Sequence, residues 1–76
     1  MIRNLYDRLL NKRVKIRCKD RRCYEGDLIS YDENLNIVLD DAEQFKGEKR
    51  RFIGLMMLQG KFICQCDIIS PSMNTN

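Results

Sequence analysis

The sequence predicts a mainly β fold. One N-terminal helix is followed by a strongly bent five-stranded antiparallel sheet, an open or partial barrel whose mouth the helix covers. Three observations carry this. The apolar period changes from 3.6 to 2 near Lys12, which is the switch from helix to strand. From there on, five short apolar segments are separated by the short polar links KDRR, DENLN, FKGEKRR and QGK. Finally, 76 residues make one domain with a marginal core. A chain of this size buries only about 60–65% of its unfolded surface, so it commonly needs disulfides, a metal or neighbouring subunits.

The segment 1–11 is the helix. Ile2, Leu5, Tyr6, Leu9 and Leu10 fall at i, i+3, i+4, i+7 and i+8 and form one apolar stripe, with Arg3, Asp7 and Arg8 opposite. Asn11 is a natural stop, because asparagine tolerates the left-handed conformation at a helix end. The β region spans 12–69. In its first strand Val14, Ile16 and Cys18 alternate with Lys15, Arg17 and Lys19, as in a half-buried strand. The second runs from about Cys23 to Tyr31, with Gly26 placed for a bend or a close backbone approach. A turn over 32–36 is rich in Asp and Asn, which bond their own backbone and accept positive φ. Strand three is expected over about 35–41, a charged loop over 45–51, and strand four over 52–58. That fourth strand is apolar on both faces and therefore expected to be covered on both. QGK (59–61) is a tight turn, 62–69 is strand five, and 70–76 is a disordered polar tail. If such a sheet does not close, two edges remain, and exposed edges pair with neighbours. Head-to-tail pairing closes into a ring when the rotation allows.

Composition narrows the function. Hydrophobic content of 43% is too high for a disordered chain, and no apolar run is long enough to span a membrane. The opening MIRNLYDRLL is too charged for a signal peptide, so an intracellular chain with reduced thiols is expected. The net charge of +3 conceals blocks. Residues 1–23 carry nine Lys/Arg against two acids; residues 24–45 carry seven acids and no base; residues 46–76 carry five bases against two acids. Such blocks suit a polyanion on one face and a complementary protein on another, or simply a solvated surface. Lys12, Arg13, Lys15 and Arg17 fit either reading. The four cysteines, Cys18, Cys23, Cys64 and Cys66, are spaced CxxxxC and CxC, and there is no histidine. This matches zinc spacing poorly. Cys64 and Cys66, alternating in a strand, should share one side and pack as small hydrophobes. No metal, no cofactor and no enzymatic activity are expected, since no phosphate loop or catalytic constellation is present.

YDENLNIVLDD (31–41) is the most informative stretch. Asp32 and Asn36 are ordinary turn formers, yet an amide at the mouth of an apolar strand is also a recognition group. Gly26 followed by Tyr31-Asp32-Glu33-Asn34-Leu35-Asn36-Ile37-Val38-Leu39-Asp40 resembles the first motif of the Sm and Sm-like (LSm) family. Gly54-Leu55-Met56-Met57-Leu58-Gln59-Gly60 resembles its second motif, and the likeness extends over about residues 2–69. VLDDAEQ (38–44) and NLYDRLLNKRVKI (4–16) are most similar to the family's E-type members.

The resemblance implies an Sm-like fold and a place in a seven-membered ring around a uridine-rich single-stranded site of spliceosomal small nuclear RNA. It implies Sm F-like and Sm G-like neighbours, joined strand four to strand five, and residence in nucleus and cytoplasm. Asn36 matches the family's base-contacting asparagine, whose amide can meet N3–H and O4 of uracil. Asp32 is expected to buttress that amide. Asn34 lies where many members carry a stacking aromatic or histidine, and Gln59 where they carry Arg or Lys before Gly60. Both departures weaken the pocket, since base stacking on an aromatic is worth about 1–3 kcal/mol. Lys61 is a candidate replacement cation. The resemblance also leaves open an LSm ring acting in RNA processing or decay, or a structural ring member with little RNA contact.

Overall fold

A computed structural model describes residues 2–69, with side chains from Tyr6 onward. The tail expected at 70–76, and the Ile2 and Leu5 side chains of the apolar stripe, lie outside the described residues.

Helix α1 spans Ile2–Leu9. Tyr6 and Leu9 are buried while Asp7 and Arg8 are exposed, the division the stripe predicts. Asn11 ends the helix in the left-handed region, at φ 66°. Its N–H donates to the Leu28 carbonyl at 2.6 Å, which fastens the helix exit to the sheet.

Five strands follow: β1 Arg13–Cys18, β2 Cys23–Tyr31, β3 Ile37–Lys46, β4 Lys49–Leu58 and β5 Ile63–Ile68. All their pairings are antiparallel, in the order β4-β3-β2-β1-β5. The sheet is open, and β4 and β5 are its edges. Val14, Ile16, Leu28, Ile37 and Leu39 are the large fully buried side chains, with Ala42 beside them. Burying each aliphatic side chain is worth about 1.5–3 kcal/mol.

The sheet bends at interruptions of register, as extra residues in one strand force curvature. Ile29 is extra in β2, between the pairs Leu28↔Leu39 and Ser30↔Val38. Asp41 and Ala42 together oppose Gly26, and Asp41 takes φ 53°. A Cβ on Gly26 would sit 3.1 Å from the Asp40 carbonyl oxygen and the Leu39 Cβ, so a bare backbone lets β2 and β3 approach at the bend. Arg13 reaches across it to Asp27 and Asp41, each at 3.4 Å.

Three expectations are corrected. First, β3 and β4 are longer than their apolar centres and meet at a two-residue turn, Gly47-Glu48, in place of a charged loop over 45–51. Their outer ends project beyond the core, so charged side chains there remain in water while the backbone completes its ladder. Second, β4 is not covered on both faces within the chain: Phe52, Leu55 and Met57 are 66%, 67% and 66% exposed, because β4 is an edge strand. Third, Cys64 and Cys66 do not share a face. Cys64 is the extra residue between Cys18↔Ile63 and Arg17↔Gln65, so alternation breaks there. Cys64 is exposed, while Cys66 packs against the core. QGK is a turn as expected, but it runs into a short 3₁₀ helix over Gly60–Phe62 that takes the first residue expected of strand five.

Candidate functional site

The β2–β3 turn is built on Asp32. Its Oδ1 accepts from the backbone N–H groups of Asn34 at 2.8 Å and Asn36 at 3.0 Å. Its Oδ2 accepts from the Asn36 amide Nδ2 at 3.0 Å. Backbone bonds from Asp32 N to the Asn36 oxygen and from Leu35 N to the Asp32 oxygen close the turn, and Leu35 supplies the positive φ, 62°. Hydrogen bonds from the Asn36 backbone and then its side chain hold the Asp32 carboxyl below its ordinary value, and it stays ionised.

The second half of the site arrives from β4. Gly60 opens the 3₁₀ turn and donates its N–H to Asn36 Oδ1 at 2.9 Å. The loops meet so closely that a Cβ at Gly60 would stand 2.5 Å from the Asn34 carbonyl oxygen and 2.7 Å from that of Leu35. Asn36 is therefore a clasp: one end of its amide holds Asp32, the other holds Gly60. An amide can donate two hydrogen bonds and accept two, so one donor and one acceptor position remain beyond these contacts.

The turn is also tied to the helix. Tyr31 donates its hydroxyl proton to Asp7 Oδ1, and its ring meets Tyr6 edge-on with centroids 5.5 Å apart. An open recess of about 440 Å³ lies here, lined by Asp7, Leu10, Ile29, Tyr31 and Asp32 among others.

Of the six residues singled out in the sequence, the structure joins Asp32, Asn36 and Gly60 through side chains or backbone, and Asn34 through its backbone N–H. The Asn34 side chain is exposed and makes no hydrogen bond among the described residues. Gln59 precedes the 3₁₀ turn, exposed and without a side-chain capping bond. Lys61 turns onto the Phe62 ring, with Nζ 5.3 Å from its centroid. Phe62, 49% exposed, is an aromatic surface beside the site that the sequence reading placed inside strand five. The signal for it was the glycine two residues earlier, which allows a turn that turns the ring outward. Of the basic residues near the first strand, Arg13 is paired with acids, whereas Lys15 and Arg17 project from the outer face of β1.

Cys18 and Cys66 pack as small apolar groups, whereas Cys64 is exposed. Burial, with Asp67 nearby, pushes the Cys66 thiol up to about 11, and burial likewise raises Cys18. Among the described residues no three metal-ligating side chains converge. No helix among them is long and apolar enough to cross a membrane.

The LSM domain model matches residues 4–66. Over 50 residues the chain is 42% identical to a protein described as probable small nuclear ribonucleoprotein E of Drosophila melanogaster, covering 63% of this chain and 53% of that one. The chain spans about half the length of the first curated relatives it matches. Among solved structures, the Sm protein of Pyrococcus abyssii in complex with a uridine heptamer superposes with a TM-score of 0.84 at 27% identity, over 91% of this chain and 99% of that one. A heptameric archaeal Sm protein superposes with a TM-score of 0.78 at 25% identity, over 88% and 97% of the two chains.

Proposed function

From the premise that the chain belongs to the LSM domain family, we propose that it is an E-type Sm ring subunit that holds one nucleotide of a uridine-rich single strand in a spliceosomal small nuclear ribonucleoprotein. The observation that carries this reading is the Asn36 amide. Pinned by Asp32 on one side and Gly60 on the other, it keeps a donor and an acceptor in fixed orientation. Uracil offers the complementary pair, N3–H and O4, and a preorganised amide loses little entropy on meeting it. Likeness to the fly relative supports the E-type assignment, and with it Sm F-like and Sm G-like neighbours and residence in nucleus and cytoplasm. The two open edges support strand-to-strand assembly, β4 of one subunit against β5 of the next. Apolar side chains stand exposed on both, Leu55 and Met57 on β4 and Ile68 on β5. The role proposed here is binding.

The test is crosslinking of uridine-rich RNA to the peptide over residues 31–41, in assembled wild type and Asn36→Ala. Loss of most of the crosslink in the variant is expected. A second reading, a structural ring member, has its own support, since both amide ends of Asn36 already serve the fold and Asn34 and Gln59 supply neither a stacking ring nor a charge. Equal crosslinking by the two proteins would favour it. An LSm ring in RNA processing or decay would show the same crosslink but assemble with other partners.

A further inference from the structure

The recess between α1 and the end of β2 is not used by the Asn36 clasp. It measures about 440 Å³, stands open, and is lined by Asp7, Leu10, Ile29, Tyr31, Asp32 and Glu33 among others. Its character is double. Ile29 is the extra residue of the β2 bulge, and the bulge leaves this large aliphatic side chain 43% exposed. Leu10, also in the lining, is half-buried. Beside them stand three carboxylates, and no lining residue is basic. Asp32 is already engaged in the turn: its two oxygens accept from the Asn34 and Asn36 backbone and from the Asn36 amide, so it lends charge alone. Asp7 Oδ1 accepts the Tyr31 hydroxyl proton, which holds that carboxylate at the recess. Asp7 Oδ2 and the Glu33 carboxylate have no hydrogen-bond or ion-pair partner among the described residues.

We propose that this recess docks an extended, arginine-bearing segment of a partner protein, whose guanidinium meets the Asp7 and Glu33 carboxylates while an adjoining aliphatic side chain covers Ile29 and Leu10. Charge complementarity selects the occupant. A guanidinium meets a carboxylate through two parallel N–H bonds and is more weakly hydrated than an ammonium, so arginine fits better than lysine. The exposed Ile29 supplies the apolar centre that a peptide contact needs, and the acids supply its polar rim. RNA is disfavoured, since its phosphates would stand against three carboxylates and no cation. The end of the chain is unsuited as well, because residues 70–76 (SPSMNTN) contain no base. The recess is built on α1 and β2, and β2 is the middle strand of the sheet, so it belongs to neither open edge. The inference goes beyond the ring-subunit reading and does not depend on it, because the recess is complete within one chain.

The experiment uses the full chain in its assembled form and fluorescein-labelled hexapeptides, one alternating arginine with leucine, one arginine with serine and one glutamate with leucine. Fluorescence anisotropy compares wild type with Glu33→Gln and Ile29→Ser. Wild type should bind the arginine–leucine peptide, bind the arginine–serine peptide about tenfold more weakly for want of the apolar contact, and not bind the glutamate–leucine peptide. Glu33→Gln should weaken the arginine–leucine peptide about two- to fivefold, the range of an exposed ion pair, and Ile29→Ser should weaken it about tenfold. Ile29→Ser should bind a seven-uridine strand as wild type does. If Ile29→Ser fails to fold, Ile29→Thr, which keeps the β-branch, makes the same comparison. Equal binding of the arginine–leucine peptide by all three proteins would overturn the proposal, as would equal binding of the two arginine peptides by wild type. Displacement of the peptide by unlabelled chain would put a second copy in the recess. Displacement by the seven-uridine strand, with tighter RNA binding in Glu33→Lys, would put RNA there; either outcome also overturns the proposal. If no form binds seven uridines, the central-strand reading fails alone, and the peptide results still decide the recess.

Discussion

Asp32 and Asn36 act as one unit, and the direction of a titration exposes it. The Asp32 carboxylate gathers two backbone N–H groups and the Asn36 amide, all of which favour its charged form. Its value in the folded chain therefore lies below the ordinary 3.8. A group depressed on folding contributes stability that is complete above its unfolded value and is lost as pH falls through the folded one. Wild type should accordingly lose stability on acidification from about pH 5 toward pH 3, and Asp32→Asn should lose less over the same interval. Thermal unfolding across that range checks this, and parallel curves for the two proteins would mean that the carboxylate does not organise the turn. Binding of uridine-rich RNA should hold until the pH falls below the ordinary carboxylate value and weaken only there, because Asp32 in the folded chain stays ionised to lower pH and, once protonated, no longer orients the Asn36 amide.

At the scale of elements, the site is the meeting of two turns, and Gly60 permits it. An added Cβ would meet backbone oxygens of the facing turn, which cannot rotate away as a flexible side chain could. Gly60→Ala should separate the turns, break the Gly60 N–H to Asn36 bond and cost about 1–3 kcal/mol, the range typical of overpacking. Urea denaturation measures this, and RNA affinity should fall with it; a variant as stable as wild type would show that the turns can part without cost. Sequence patterns made much of this legible. The burial of Tyr6 and Leu9 on the helix, the strand alternation through Cys18, the bounds of β2 and the Asn11 stop follow from local rules, and each appears in the structure. What pattern could not give was register. The bulges at Ile29, Asp41, Ile53 and Cys64 are set by curvature of the whole sheet, and no local signal separates a bulged strand from a regular one. The hairpin ends were hidden for another reason: charged residues beyond the core read as loop, although the backbone there pairs as well as elsewhere. The Asp32–Asn36 pairing was legible from spacing, whereas the bond from Gly60 depends on bringing residues 24 apart together.

For the whole molecule, the central fact is an unfinished sheet. Its core is small, and its edge strand β4 presents Phe52, Leu55 and Met57 to water. Partner binding to the folded state alone adds stability by mass action, so folding of such a chain is linked to its concentration. For a ring, each tenfold rise in concentration should stabilise a chain by about 1 kcal/mol, and the unfolding midpoint should climb with dilution reversed. Leu55 isolates this effect. At 67% exposure in the single chain, its replacement by lysine touches little of the core and should change the intrinsic stability of a monomer by less than about 0.5 kcal/mol. In an assembly the same lysine would bury a charge against a neighbour's β5, which is strongly unfavourable without a partner acid. Leu55→Lys should therefore give a chain that folds as a monomer by native mass spectrometry, with a midpoint lower than wild type and independent of concentration. Equal masses and equal, concentration-independent midpoints for the two proteins would mean that the open edges are not joined through this face of β4.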